Sequence, residues 1–340
     1  MPLFSAGRRS AIVPFVSDNG FTTVPGRFLI VIDPAADTHP ALERGAWLAR
    51  MTGAAIELLV CHYDEYLAGD RLFDARSLDR PRREILDGFL QTLELLAVPL
   101  RREGLEVTTA AIWHHPVHEG IVLHAERIGA SVVFKETRHH SALRRALLSH
   151  ADWALIRACR APLWLVKPLA LPAKPVLLAA VDPLHEHDKP AALDDAILDA
   201  GTALAKLTGA ELHAFHAYDP RKAVATATAN AYIPVSLPLV EIETEMRGEH
   251  ESRFREVTES HGLAPDRLHL VRGPAHEELP RVARELGASL VIMGAVARNR
   301  LQRLFIGSTA ERTLEDLPCD LLIVKPDWVS RGLRPAGDFL

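Results

Sequence analysis

A long internal repeat constrains this chain more than any other feature. Residues 116–168 align with residues 274–326 without a gap, at an offset of 158. Pro116, His118 and Glu119 meet Pro274, His276 and Glu277, and Gly129-Ala130-Ser131 meets Gly287-Ala288-Ser289. Leu143 and Arg145 meet Leu301 and Arg303, and Val166-Lys167-Pro168 meets Val324-Lys325-Pro326. Earlier segments agree at other offsets: Leu29–Pro34 resembles Leu178–Pro183, and Thr52-Gly53-Ala54 resembles Thr208-Gly209-Ala210. A unit of roughly 150 residues far exceeds solenoid periods of about 20–50 residues. The 340-residue chain therefore reads as a duplicated domain.

Each half alternates short apolar runs with helical patterns. The first half offers strands at Phe28–Ile32, Ile56–Cys61, Val107–Trp113, Ser131–Phe134 and Leu163–Val166. The second offers Val176–Val181, Leu212–His216, Arg267–Val271, Ser289–Met293 and Leu321–Val324. These runs lack polar alternation, as expected of strands covered on both faces. Leu193, Ile197, Leu204 and Leu207 share one helix face, and so do Ile85, Phe89, Leu93 and Leu96. The Pro-x-His-Glu segments predict helix starts, with His118-Glu119 and His276-Glu277 as capping residues. Alternating strands and helices predict an α/β fold: two five-stranded, doubly wound parallel sheets with right-handed crossovers. The expected domains are 27–168 and 176–328, joined by 169–175, with an extension at 1–26 and a tail at 329–340.

Composition narrows the function. Hydrophobic residues make up 48% and charged residues 24%, which excludes a disordered chain. The net charge of −5 argues against nucleic-acid binding through a global positive field. No apolar stretch is long enough to span a membrane, and Pro14 interrupts the only N-terminal apolar run that resembles a signal peptide. Three scattered cysteines, Cys61, Cys159 and Cys319, predict packing residues in a reducing cytoplasm.

Ligands of open parallel sheets bind beyond the carboxyl ends of the strands, where strand order reverses. In the second half the fourth strand ends at Met293-Gly294, and Gly294 is expected to let the chain turn tightly away. Arg298, Arg300 and Arg303 follow, then Gly307, Ser308 and Thr309 at an expected helix N-terminus. Unpaired N–H groups and the helix dipole suit a phosphate there. Val181 and Asp182 close the first strand, and Asp182 is a candidate acceptor for an adenine amino group or ribose hydroxyl. The plainer alternative is a simple helix cap with solvated arginines.

The spacing Gly294-x2-Ala297-x9-Gly307-Ser308 resembles the universal stress protein motif Gly-x2-Gly-x9-Gly-Ser/Thr, with alanine at its second glycine. The first half is similar to the N-terminal domain of tandem, E-type members. It shares Trp113-His114, Phe134-Lys135 and the stretch Asp152-Trp153 to Cys159, Pro162 and Trp164. The likeness covers roughly residues 27–330. It implies Rossmann-like domains of the adenine nucleotide alpha hydrolase type and a cytoplasmic stress-response role. The ligand it implies is ATP, AMP or ADP, with Mg2+ as an optional companion. The nucleotide-contacting set it implies is Val181, Asp182, Met293, Gly294, Ala297, Arg298, Gly307, Ser308 and Thr309. Single-domain members pair through their last strands. An intramolecular pseudo-dimer through Leu163–Lys167 and Leu321–Lys325 is therefore expected, covering two apolar edges. The chain is then a monomer, or a homodimer through another surface.

Ala297 adds a methyl where the backbone approaches the ligand. In the first half, Glu136, His139, Ser149 and His150 replace Gly294, Ala297, Gly307 and Ser308, so that half is expected not to bind ATP. Histidines gather in the same half. His114, His140 and Asp152 form a zinc candidate, set against ordinary loop histidines as the plainer reading. No HExxH, nucleophile elbow or P-loop occurs, and no catalytic residue is expected. The apolar stretch Asp219–Val240 reads as a lid or lipid-like ligand cleft, or as a packing surface. The leading expectation is a nucleotide-binding sensor or interaction module. The alternatives are a slow ATPase, and a scaffold or lipid-like ligand binder without nucleotide chemistry.

Overall fold

The computed structural model describes residues 26–67, 78–137, 139–140, 145–146, 148–184, 192–221, 239–295, 314 and 316–325. The described residues divide into two compact units. Those of Met1–Glu136 and Ala161–Val166 form the first, and those of Thr137–Arg160 and Lys167–Leu340 form the second.

Unit 1 contains β1 (Arg27–Val31), α1 (Pro40–Thr52), β2 (Ala55–His62), α2 (Asp79–Arg102), β3 (Val107–Trp113), α3 (Val117–Arg127), β4 (Ala130–Glu136) and β5 (Leu163–Val166). Every pairing is parallel, in the order β5-β4-β1-β2-β3. Apolar runs with no polar alternation bury both faces of the central strands. Leu29, Ile30, Ile56, Leu58, Val133 and Phe134 have no exposed surface. Phe134 stacks on Trp164 at 5.3 Å and meets Phe28 edge-on at 5.5 Å. A buried carboxylate interrupts this core. Glu57, in mid-strand, sits 2.5 Å from His124 and is also reached by Arg27 at 3.3 Å. Its burial is tolerated because both carboxylate oxygens have partners.

Unit 2 contains α4 (His150–Ala158), β6 (Val176–Ala180), α5 (Ala192–Thr208), β7 (Glu211–Tyr218), α6 (Leu239–Glu259), β8 (Leu268–Arg272), α7 (Ala275–Glu285), β9 (Leu290–Gly294) and β10 (Asp320–Val324). Its pairings are again all parallel, in the order β8-β7-β6-β9-β10. A short antiparallel bridge joins His139–His140 to Arg145–Ala146.

The repeat is visible in the elements. α3 and α7 occupy positions separated by the same offset of 158, and each is followed by a left-handed glycine, Gly129 at φ 62° and Gly287 at φ 61°. Only glycine adopts that backbone without strain, which accounts for the repeated Gly-Ala-Ser. The repeated Val-Lys-Pro also gains a reason within unit 2. Lys167 donates its ammonium to the Leu317 carbonyl, and Lys325 donates to the carbonyls of Cys159 and, at 3.0 Å, Arg157. Residues 159 and 317 are themselves one repeat apart.

The starts of α3 and α7 correct one expectation. Their N-caps are Pro116 and Pro274, without any side-chain capping bond, and the histidines lie inside the first turn. Proline fixes the entry angle through its ring, and Glu119 and Glu277 meet the positive end of the helix dipole.

Candidate functional site

Strand order in unit 2 reverses at β6. β7 and β8 lie to one side of it, and β9 and β10 to the other. The carboxyl ends of β6 and β9 therefore flank the crevice in which such sheets take ligands. Val181 and Asp182 leave β6 there, and Met293-Gly294 closes β9, with Met293 in register with Ala180. The structure thus brings four of the expected residues side by side. Ala297, Arg298, Gly307, Ser308 and Thr309 lie outside the described residues, as do positions 222–238 of the expected lid.

Gly294 is glycine for a different reason from the one expected. Its backbone is not left-handed; space is what it lacks. A Cβ there would lie 2.5–2.6 Å from the Cδ2, Cδ1 and Cγ atoms of Leu193, which is itself fully buried. Leu193 belongs to the first turn of α5, so that helix start is pressed against the end of β9.

Two further residues hold the end of β6. The Val181 N–H donates to the Phe215 carbonyl at 3.0 Å, extending the ladder with β7. The next peptide group leaves the ladder and is held by side chains. Its N–H, from Asp182, donates to Asp194 Oδ1 at 3.0 Å, and its carbonyl, from Val181, lies 3.2 Å from His216 Nδ1. His216 Nε2 lies 2.7 Å from His250 Nδ1 on α6. Asp194 is 1% exposed, and His216 and His250 are 2% exposed. None of these three stands out in the sequence as a site residue. The only signal is that histidines punctuate an otherwise apolar strand, Leu212–Tyr218.

The equivalent crevice of unit 1 is built differently. α1 and α5 end at the aligned Thr52 and Thr208, but α1 has 13 residues and α5 has 17. The four additional residues, Ala192–Asp195, include Leu193 and Asp194. Where Gly294 stands in unit 2, unit 1 carries Glu136. Burial pushes the Glu136 carboxyl above the ordinary carboxylate range, the nearby Asp33 adds to this, Lys135 opposes it, and Glu43 adds a little more. Asp33 turns its side chain back to accept the Ala35 N–H at 3.0 Å. The end of β4 therefore adds a second carboxylate beside Asp33, where unit 2 offers glycine beside Asp182.

The zinc candidates separate into different roles. Asp152 is fully buried and caps α4: its Oδ2 accepts from the Ser149 N–H at 2.7 Å and the Ser149 hydroxyl at 2.8 Å. The Asp152 N–H donates back to Ser149 Oγ at 3.2 Å, completing a capping box. His114 follows β3 and donates its backbone N–H to the His62 carbonyl at 3.1 Å. Beside it His62, Tyr63, Trp113 and His115 form a chain of ring contacts, with the Arg82 guanidinium 5.5 Å from the Trp113 ring. His140 lies in the short bridge, and its side chain is outside the described residues. Among the described residues no three His, Cys, Asp or Glu side chains are placed to hold a metal ion. All three cysteines are free thiols. Burial pushes Cys61 up to about 11 and Cys319 up to about 12, so neither is a thiolate near neutral pH. Among the described residues no helix is long and apolar enough to cross a membrane.

Compared with known proteins, residues 26–167 and 176–325 each match the family described as the universal stress protein family. Universal stress protein E of Escherichia coli K12 is 27% identical over 300 residues, covering 88% of this chain and 93% of that protein. A solved structure of a putative universal stress protein from Pseudomonas aeruginosa UCBPP-PA14 is 27% identical with a TM-score of 0.68. It covers 90% of this chain and 95% of that one. A universal stress protein from Archaeoglobus fulgidus shares the fold, at a TM-score of 0.61 and 17% identity over 88% of this chain and 98% of its own.

Proposed function

The chain belongs to the universal stress protein family, with two such domains in tandem, and from that premise we propose that unit 2 binds an adenine nucleotide. The family supports a stress-response role. The observation that carries the nucleotide reading is that Val181-Asp182, just past the end of β6, and Met293-Gly294, at the end of β9, lie on neighbouring strands at the point of strand reversal. The spacing to Ala297, Gly307 and Ser308 supports it, because a Gly-Ser-Thr segment opening a helix supplies N–H groups and hydroxyls to phosphates. In this reading Asp182 accepts from the base or ribose, Arg298 and the backbone of Gly307–Thr309 hold phosphate, and Mg2+ accompanies ATP.

Unit 1 does not bind nucleotide in this reading. Glu136 would face the phosphates of ATP with like charge and bulk, at the position where unit 2 carries Gly294, and Ser149 and His150 stand where unit 2 has Gly307 and Ser308. The protein works as a sensor or interaction module in the cytoplasm, where its three thiols stay reduced. In this reading the 37.4 kDa chain is a monomer, or a homodimer through another surface, and sedimentation distinguishes the two.

Calorimetric titration of the full chain with ATP, ADP and AMP, with and without Mg2+, tests the site. Binding of at least one of them at a single site is expected; no heat with any of the three contradicts the reading. Phosphate release from bound ATP at no more than the uncatalysed rate is expected of a sensor, and sustained turnover would indicate an ATPase instead.

A further inference from the structure

We infer that Asp194 and His216 are positioning residues that clamp the peptide group between Val181 and Asp182, and that His250 orients the clamp from behind. The inference rests on the nucleotide reading for its purpose, but not for its geometry. A single peptide group carries both bonds: its N–H goes to Asp194 Oδ1 at 3.0 Å, and its carbonyl is 3.2 Å from His216 Nδ1. The two partners come from opposite sides of the strand end, one from the first turn of α5 and one from β7. A peptide plane held at both ends cannot rotate, so the direction in which Asp182 leaves the strand is set.

The proton positions follow from chemistry. A carbonyl only accepts, so His216 Nδ1 carries the hydrogen that points at Val181. In the neutral ring Nε2 is then the acceptor, and His250 must donate to it from Nδ1. With His216 neutral, the relay runs from His250 Nδ1–H to His216 Nε2, and from His216 Nδ1–H to the Val181 carbonyl. Packing keeps the rings in place, with His216 beside Phe254 at 5.7 Å and His250 beside Tyr218 at 5.3 Å. Through this relay α6 is mechanically connected to the candidate nucleotide site.

The repeat supplies an internal control. β2 and β7 each have eight residues, and the position of His216 in β7 is taken by Val60 in β2. Valine cannot donate to a carbonyl. α1 also lacks the four residues that contain Asp194, and Asp33 is engaged with Ala35. The clamp is therefore present only in the unit whose crevice suits a nucleotide.

The test uses the full chain with 15N-labelled histidine and a long-range 1H–15N correlation. Both His216 and His250 are expected as Nδ1–H tautomers, identified by the loss of each ring's signals in His216→Asn and His250→Gln. ATP titration then separates positioning from folding. His216→Phe and Asp194→Ala are expected to weaken binding about tenfold, the scale of one buried hydrogen bond. His216→Asn, whose amide places a donor near Nδ1, and Asp194→Asn, whose amide oxygen still accepts, are expected within about threefold of the parent protein. A His216 proton on Nε2, or unchanged ATP affinity in His216→Phe and Asp194→Ala, would overturn the clamp. Absence of ATP binding by the parent protein would instead defeat the nucleotide reading, and the ring tautomers would still decide the clamp.

Discussion

Leu193 occupies the space that a side chain at position 294 would need, since a Cβ built on Gly294 falls 2.5 Å from Leu193 Cδ2. Substituting Gly294→Ala forces the first turn of α5 away from β9 and is expected to destabilise the protein by about 1–3 kcal/mol, as overpacking does. Leu193→Ala alone leaves a cavity and costs about 2–5 kcal/mol. The double variant should be more stable than the sum of the two losses predicts, because each change relieves the other. Urea unfolding of the four proteins checks this. Strict additivity would mean that the two positions do not press on one another.

Glu136 predicts a pH dependence of opposite sign to that of most carboxylates. Its folded-state carboxyl is raised, by burial first and by Asp33 second. The folded state therefore holds a proton that the unfolded chain has already released, and stability declines as pH rises from the ordinary carboxylate range through the raised value. Glu136→Gln removes this decline. Thermal unfolding between pH 4 and pH 7 is expected to show the variant gaining on the parent protein as pH rises; parallel curves would contradict the placement.

His213 and His269 predict the reverse trend in unit 2. Their ring nitrogens lie 2.9 Å apart, and burial lowers both below the ordinary imidazole value. For His213, Glu211 and Asp266 oppose that shift and Arg267 adds to it; for His269, His213 adds to it and Glu285 opposes it. The unfolded chain therefore takes up protons that the folded one refuses. Stability is fully present above pH 6.5 and is lost as pH falls below it. His269→Gln should flatten the thermal midpoint between pH 7.5 and pH 5, and a variant as acid-sensitive as the parent would contradict this.

Much of the fold was legible because duplication and strand patterning are local properties. The offset of 158 reappears in α3 and α7, and uninterrupted apolar runs such as Leu290–Ile292 became central buried strands. The crevice was legible as far as strand ends and a glycine spacing could show it, hence Val181, Asp182, Met293 and Gly294. The reason for Gly294 was not legible, because Leu193 lies a hundred residues earlier and meets it only through the sheet order. Asp194 and His216 were hidden for the same reason. A first-turn carboxylate and a strand histidine look ordinary until topology brings both to one peptide group. Glu57 and His124 likewise meet across 67 residues.

The central claim is that one of the two repeats binds an adenine nucleotide and the other does not. Calorimetric titration of ATP into the full chain, into Gly307→Asp and into Glu136→Gln tests it most directly. The account predicts one equivalent of ATP per chain, bound equally by the parent protein and by Glu136→Gln, whose unit 1 still has Ser149 and His150 in place of Gly307 and Ser308, and no binding by Gly307→Asp, where charge and bulk meet the phosphates. Two equivalents per chain, or unchanged affinity in Gly307→Asp, would contradict it.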